Sequence, residues 1–110
     1  MILITGINSF VGKYLAKQLD KKKIRFIGID VNLKENKNYK NIDIRDRKIE
    51  KYINSNTIII HLAAISTDNL CLNNPELAFD VNVNGTINLI NIANITKKPL
   101  IIVALIVLSN

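Results

Sequence analysis

Blocks of apolar residues alternate with blocks of mixed polarity along the chain, and the period within each block predicts its structure. Ile2 to Thr5 is a short apolar run closed by Gly6, the pattern of a strand buried on both faces. From Phe10 to about Lys21 the period lengthens: Val11, Leu15 and Leu19 recur every four residues while Lys13, Lys17, Asp20 and Lys21 take the other face. That is an amphipathic helix, with Ser9 at its N-cap. Arg25 to Asp30 reads as a second strand ending in an acid. Val31 to Asn38 is polar and too short for a crossover helix, so an extended loop is expected there. Tyr39 to Ile44 reads as a third strand near a sheet edge, and Asp46 can cap a brief helix with Ile49, Tyr52 and Ile53 facing inward. Thr57 to Ala63, with three consecutive isoleucines, is the clearest strand and is expected at the sheet centre. After an irregular stretch, Asn74-Pro75 supplies a cap and a first-position proline. The helix that follows places Ala78, Val81, Asn82, Gly85, Leu89 and Ile92 at helical spacing and runs to Asn94. Lys97-Lys98-Pro99 ends it, and Leu100 to Leu108 is the last strand. Strands alternating with helices mean a parallel α/β sheet, and 110 residues make one domain of it.

Composition changes this picture little. Apolar residues at 48% and charged residues at 22% are globular values. The nine-residue run from Leu100 to Leu108 falls far short of the roughly 20 residues a helix needs to cross a bilayer, and no membrane partner is expected. Met1 to Thr5 lacks the features of a secretory signal. Cys71 stands alone, which excludes an internal disulfide, and it has no metal-ligand spacing with the single His61. A reducing, cytoplasmic setting is expected, with Cys71 a loop thiol without chemistry. The net charge of +6 includes Lys21-Lys22-Lys23, but the lysines are scattered among Ile and Asn and aromatics are 5%. This describes a solvated surface rather than a nucleic-acid face.

The chemistry begins at Thr5-Gly6-Ile7-Asn8-Ser9-Phe10-Val11-Gly12, between the first strand and the first helix. A turn there aims backbone N–H groups and the positive end of the helix dipole at one point, as a pyrophosphate requires. Alone, the two glycines could equally reflect tight packing. Asp30 stands 24 positions after Gly6, close to the roughly 20 expected of an acid that takes a ribose hydroxyl, although an acid can also simply end a strand in a turn. Asp30 would repel a 2′-phosphate and no Arg follows it, so NAD is favoured over NADP. His61 has no acid close in sequence and reads as structural rather than as a general base. Asn82 shares the inward face of its helix, and a buried amide demands partners.

Together these residues resemble the extended short-chain dehydrogenase/reductases, also described as NAD-dependent epimerase/dehydratases of nucleotide sugars. The resemblance runs from Met1 to about Val103. Thr5-Gly6-x-x-Ser9-Phe10-Val11-Gly12 is similar to the family's Thr-Gly-x-x-Gly-Phe-[Ile/Val]-Gly. Asp43-Ile44-Arg45-Asp46 is similar to its Asp-[Ile/Leu]-x-Asp, His61-Leu62-Ala63-Ala64 to its His-Leu-Ala-Ala, and Asn82-Val83-Asn84-Gly85-Thr86 to its Asn-Val-x-Gly-Thr. The resemblance implies a Rossmann-like doubly wound sheet of about five strands in the order 3-2-1-4-5. It also implies an NAD site built from Gly6, Asn8, Ser9, Phe10, Val11, Gly12, Asp30, Asp43, Ile44, Leu62, Ala63, Ala64 and Asn82. Asp43 would accept from the adenine amino group with Ile44 against the ring, Leu62, Ala63 and Ala64 would line the ribose and phosphate side, and Asn82 would add a cofactor contact to any backbone bond. Ser9 departs from the pattern, since the family's glycine lets the backbone approach the pyrophosphate; its hydroxyl could donate to a phosphate instead.

The family's catalytic Ser or Thr and its Tyr-x-x-x-Lys pair have no counterpart: four residues after Tyr14, Tyr39 and Tyr52 stand Gln18, Asp43 and Asn56. The expected function is therefore the NAD-binding portion of a nucleotide-sugar epimerase, dehydratase or reductase, truncated and inactive alone. The alternatives are a non-catalytic dinucleotide-binding or regulatory module and an anion binder acting through the lysine surface. A last strand left as an apolar sheet edge is expected to promote self-association.

Overall fold

The computed structural model describes residues 1–62 and 73–103. In chain order these form β1 (Ile2–Thr5), α1 (Phe10–Lys21), β2 (Phe26–Asp30), β3 (Tyr39–Asn41), a 3-10 helix (Arg47–Tyr52), β4 (Ile58–His61), α2 (Pro75–Phe79), a π-helical turn (Asp80–Asn84), α3 (Gly85–Thr96) and β5 (Leu100–Ile102). All four strand pairings are parallel and the order is β3-β2-β1-β4-β5, as expected. The chain winds outward from β1 to β3, then returns across β1 to lay down β4 and β5. The winding direction thus reverses between β1 and β4, and in such Rossmann-like sheets a crevice opens there beyond the carboxyl ends of the strands.

Alternation along the strands divides the core between the two faces of the sheet. On one face Leu3, Ile29 and Ile59 pack with Ile42, Ile49, Leu89, Ile92 and Ala93, so the 3-10 helix and α3 cover it. On the other, Ile4, Phe26 and Leu62 pack with Ile7, Ala16 and Leu19, so α1 covers it. β4 is an interior strand but β1 holds the centre, and Ile58 at the start of β4 stays 40% exposed.

Several elements differ from the expected ones for local reasons. β3 stops at Asn41 because Asp43 folds its side chain back, Oδ1 accepting from the Arg45 N–H at 2.9 Å, and turns the chain away from the sheet. The loop between β2 and β3 has no helix, as expected; Asn36 Oδ1 accepts from the N–H groups of Asn38 and Tyr39 and organises it. The brief helix after Asp46 is of 3-10 type, with Ile49 buried as predicted. The long helix after Asn74 is interrupted: Asn74 caps it through the Leu77 N–H, but from Asp80 to Asn84 it widens into a π turn before α3 resumes. α3 ends at Lys97, which takes the left-handed conformation while the Lys98 N–H donates to Ala93 O at 3.0 Å. Part of the expected last strand, and Cys71, lie outside the described residues.

Candidate functional site

The turn after β1 is shaped by close backbone approach. Gly6 takes φ 72°, in the left-handed region that favours glycine. A Cβ on Gly12 would lie 2.4 Å from Gly6 O and 2.6 Å from Ile7 O, so no other residue lets the start of α1 come this close. Ser9 is the N-cap of α1. Its Oγ accepts from the Gly12 N–H at 3.1 Å and its hydroxyl donates to Gly6 O at 2.7 Å. The hydroxyl proton thus serves the turn itself. With φ −71° and ψ 166°, Ser9 has an extended backbone that any residue adopts, which is why serine can replace glycine here. The amides of Phe10 and Val11 have no acceptor among the described residues, and the first turn of α1 has no acidic side chain. The helix dipole and two free N–H groups are thus left for an anion.

Asp30, at the end of β2, leans over this turn. Its Oδ2 accepts from the Asn8 N–H at 2.9 Å and its Oδ1 from the Val31 N–H at 2.8 Å. Each oxygen retains a further lone pair for a hydroxyl donor. A cleft of about 450 Å³ opens beside it, lined by Gly6, Asn8, Ser9, Asp30, Asp43, Ile44 and Leu62, together with Val31, Ile42, Arg45, Leu77 and Val81. Its walls come from the carboxyl ends of β1 to β4, the position at which open α/β sheets bind ligands.

The opposite wall, residues 43–46, is clamped to the π turn and α3 by side chains. Arg45 grips Asp43 through Nε to Oδ1 at 3.0 Å and Nη2 to Oδ2 at 2.7 Å, and its Nη1 donates to Asp80 on the π turn. These hydrogen bonds from Arg45 hold the Asp43 carboxyl below its ordinary pKa; a hydrogen bond from Asn84, then Arg45, does the same for Asp80. Asn88 Nδ2 donates to Ile44 O at 2.7 Å and Asp46 O at 3.2 Å. Gly85 gives room for Ile44, whose Cδ1 would lie 2.5 Å from a Cβ at that position.

His61 is 4% exposed and sits between two hydroxyls, with Nδ1 at 2.7 Å from Thr5 Oγ1 and Nε2 at 2.9 Å from Thr86 Oγ1. Strand register places Thr5 beside His61. Since the Thr86 hydroxyl donates to Asn82 O at 2.7 Å, His61 Nε2 carries the hydrogen in that contact. Burial lowers the His61 pKa, so the ring is a neutral tie between β1, β4 and the start of α3.

Of the residues singled out in the sequence, Gly6, Asn8, Ser9, Asp30, Asp43, Ile44 and Leu62 meet in the cleft. Gly12 stands behind the turn as a packing position, Val11 packs against the α1-covered core, and the Phe10 side chain is 90% exposed, which leaves its backbone as its contribution to the turn. Asn82 is half-buried on the π turn and is not among the residues lining the cleft. Ala63 and Ala64 lie outside the described residues. Arg45, Asp80, Asn88 and Thr86 are site residues that sequence reasoning misses. Asn88 had a signal, its helical spacing of three from Gly85, whereas Arg45 and its partner Asp80 are 35 positions apart. Among the described residues no group of His, Cys, Asp or Glu could hold a metal ion, and no helix is long and apolar enough to cross a membrane.

Known proteins are similar to this chain in sequence and fold. A Methanocaldococcus jannaschii protein named "Putative UDP-glucose 4-epimerase" is 33% identical over 99 residues, 82% of this chain and 32% of that protein. A monomeric L-threonine 3-dehydrogenase from a metagenome superposes with a TM-score of 0.79 at 36% identity, covering 91% of this chain and 34% of the other. The Thermus thermophilus UDP-glucose 4-epimerase in complex with NAD has a TM-score of 0.74 at 23% identity, over 87% of this chain and 34% of that one, and shows the fold alone. The chain spans about a third of the length of these relatives. Residues 2–106, from the first strand through the glycine turn and both walls of the cleft, match the NAD dependent epimerase/dehydratase family, to which this chain belongs.

Proposed function

We propose that the chain is the NAD-binding portion of an enzyme that epimerises, dehydrates or reduces a nucleotide sugar. The observation that carries this reading is the Asp30 carboxylate, bonded to the Asn8 N–H of the glycine turn and facing the cleft with acceptor capacity to spare. The two free amides at the start of α1 would receive the pyrophosphate, and Asp30 the ribose hydroxyls. Asp43 and Ile44 would take the adenine, with Leu62 at the far side of the cleft. NAD, when bound, supplies a hydride acceptor for a sugar carbon; the residues here bind and orient it. The negative charge of Asp30 disfavours a 2′-phosphate and selects NAD over NADP.

Nucleotide sugar is favoured as the substrate class by the UDP-glucose epimerases among the relatives, although threonine dehydrogenases superpose equally well on this third of their length. The 110 residues contain no Tyr-x-x-x-Lys, so they bind without turning over on this reading. The same cleft would serve the second reading, a non-catalytic dinucleotide-binding module. The setting is cytoplasmic, and β5, whose Ile101 and Ile102 are about half exposed at the sheet edge, promotes self-association.

Calorimetric titration tests the reading. NAD binds the wild-type chain at one site, NADP binds more weakly, and Asp30→Ala loses at least tenfold in NAD affinity while unfolding with the same cooperativity. Soluble wild-type protein that binds no NAD would overturn the enzyme and module readings together.

A further inference from the structure

We propose that Arg45 and Asp80 are positioning residues that set how well the cleft recognises the amino group of its adenine. This rests on the dinucleotide reading. Asp43 lies just past the end of β3 on an irregular segment, where no strand ladder fixes its side chain. Arg45 fixes it instead. The Arg45 backbone N–H and Nε both donate to Oδ1, at 2.9 and 3.0 Å, which uses the two lone pairs of that oxygen. Nη2 takes one lone pair of Oδ2 at 2.7 Å. The carboxylate is left with one acceptor direction, on Oδ2, and the Arg45 fork decides where it points.

Arg45 is itself held by the π turn. Its Nη1 donates to Asp80 Oδ2, and Asp80 Oδ1 accepts from Asn84 Nδ2 at 2.7 Å, so the π turn fixes the far end of the fork. Asp43, Arg45 and Val81, the neighbour of Asp80, all line the cleft. The side chains of Arg45, Asp43 and Asp80 are 35%, 34% and 43% exposed, and ion pairs this exposed contribute little to folding. An arginine with two side-chain donors committed to Asp43 and a third to Asp80, 35 residues away, is therefore better explained by what it positions than by stability.

The test compares NAD with nicotinamide hypoxanthine dinucleotide, which carries an oxygen in place of the adenine amino group. Wild type prefers NAD by roughly tenfold, the scale of a hydrogen bond to a charged acceptor. Asp80→Asn and Arg45→Met cut that preference to about threefold or less by weakening NAD, while affinity for the hypoxanthine dinucleotide changes little. The double variant loses no more than either single one, because both act through Asp43. Equal losses for both dinucleotides, or a preference unchanged in either variant, would overturn the proposal with the dinucleotide reading intact. Wild-type protein that binds neither dinucleotide would overturn that reading and the proposal with it.

Discussion

The two walls of the cleft hold their shape by different means. Around Gly6 and Gly12 the backbone does the work: one left-handed residue, one forbidden Cβ and a serine cap bring the start of α1 against the end of β1 within eight residues. Across the cleft, residues 43–46 are held by long-range polar contacts, from Arg45 to Asp80 and from Asn88 to two carbonyls. A steric wall fails all at once when a methyl group is added. A polar wall yields gradually, since each contact is partly replaced by water.

The largest expected effect breaks the steric wall. Gly12→Ala places a carbon against two carbonyl oxygens that cannot swing aside, and should cost about 3 kcal/mol, the upper part of the overpacking range. Urea unfolding measures this, and a loss under about 1 kcal/mol would show that the turn adapts.

A smaller effect concerns the tie between β1, β4 and the start of α3. Burial keeps the His61 pKa below its ordinary 6.5, so the unfolded chain binds that proton more readily than the folded one. Stability should be constant above pH 6.5 and fall as pH drops below it, with a slope no steeper than the one-proton limit of about 1.4 kcal/mol per pH unit. His61→Gln should flatten this region of the profile. The carboxylates of Asp43 and Asp80, held below their ordinary 3.8, add a separate loss only at more acid pH.

The smallest effect is at Ser9. Because its backbone is extended and its hydroxyl serves the turn, Ser9→Gly should change stability by only a few tenths of a kcal/mol through the lost cap. A gain in NAD affinity above tenfold in that variant would show that the serine side chain obstructs the pyrophosphate after all.

The same contrast explains what was legible in the sequence. The strands, the glycine turn and Asp30 announce themselves through short-range signals: hydrophobic period, glycines, a cap and an acid ending a strand; the strand order came with the family resemblance. The wall at Asp43 was legible as a motif but not as a structure. Nothing local says that Arg45 meets Asp80, and a π turn leaves no mark in the spacing of Ala78, Asn82, Gly85 and Leu89. That turn is why Asn82 is half-buried rather than buried with Ala78 and Gly85. His61 was read as structural for lack of an acid partner; its partners in the fold, Thr5 and Thr86, follow from register and helix placement.

Amide chemical-shift mapping during an NAD titration tests the central claim most directly. Shifts at Gly6, Asn8, Phe10 and Val11 on one wall and at Asp43, Ile44 and Arg45 on the other, moving with one dissociation constant, are the result predicted for a dinucleotide spanning both. Shifts confined to one wall, or to the lysine-lined groove of Lys13, Lys17 and Lys34 beyond Asn8, would contradict it.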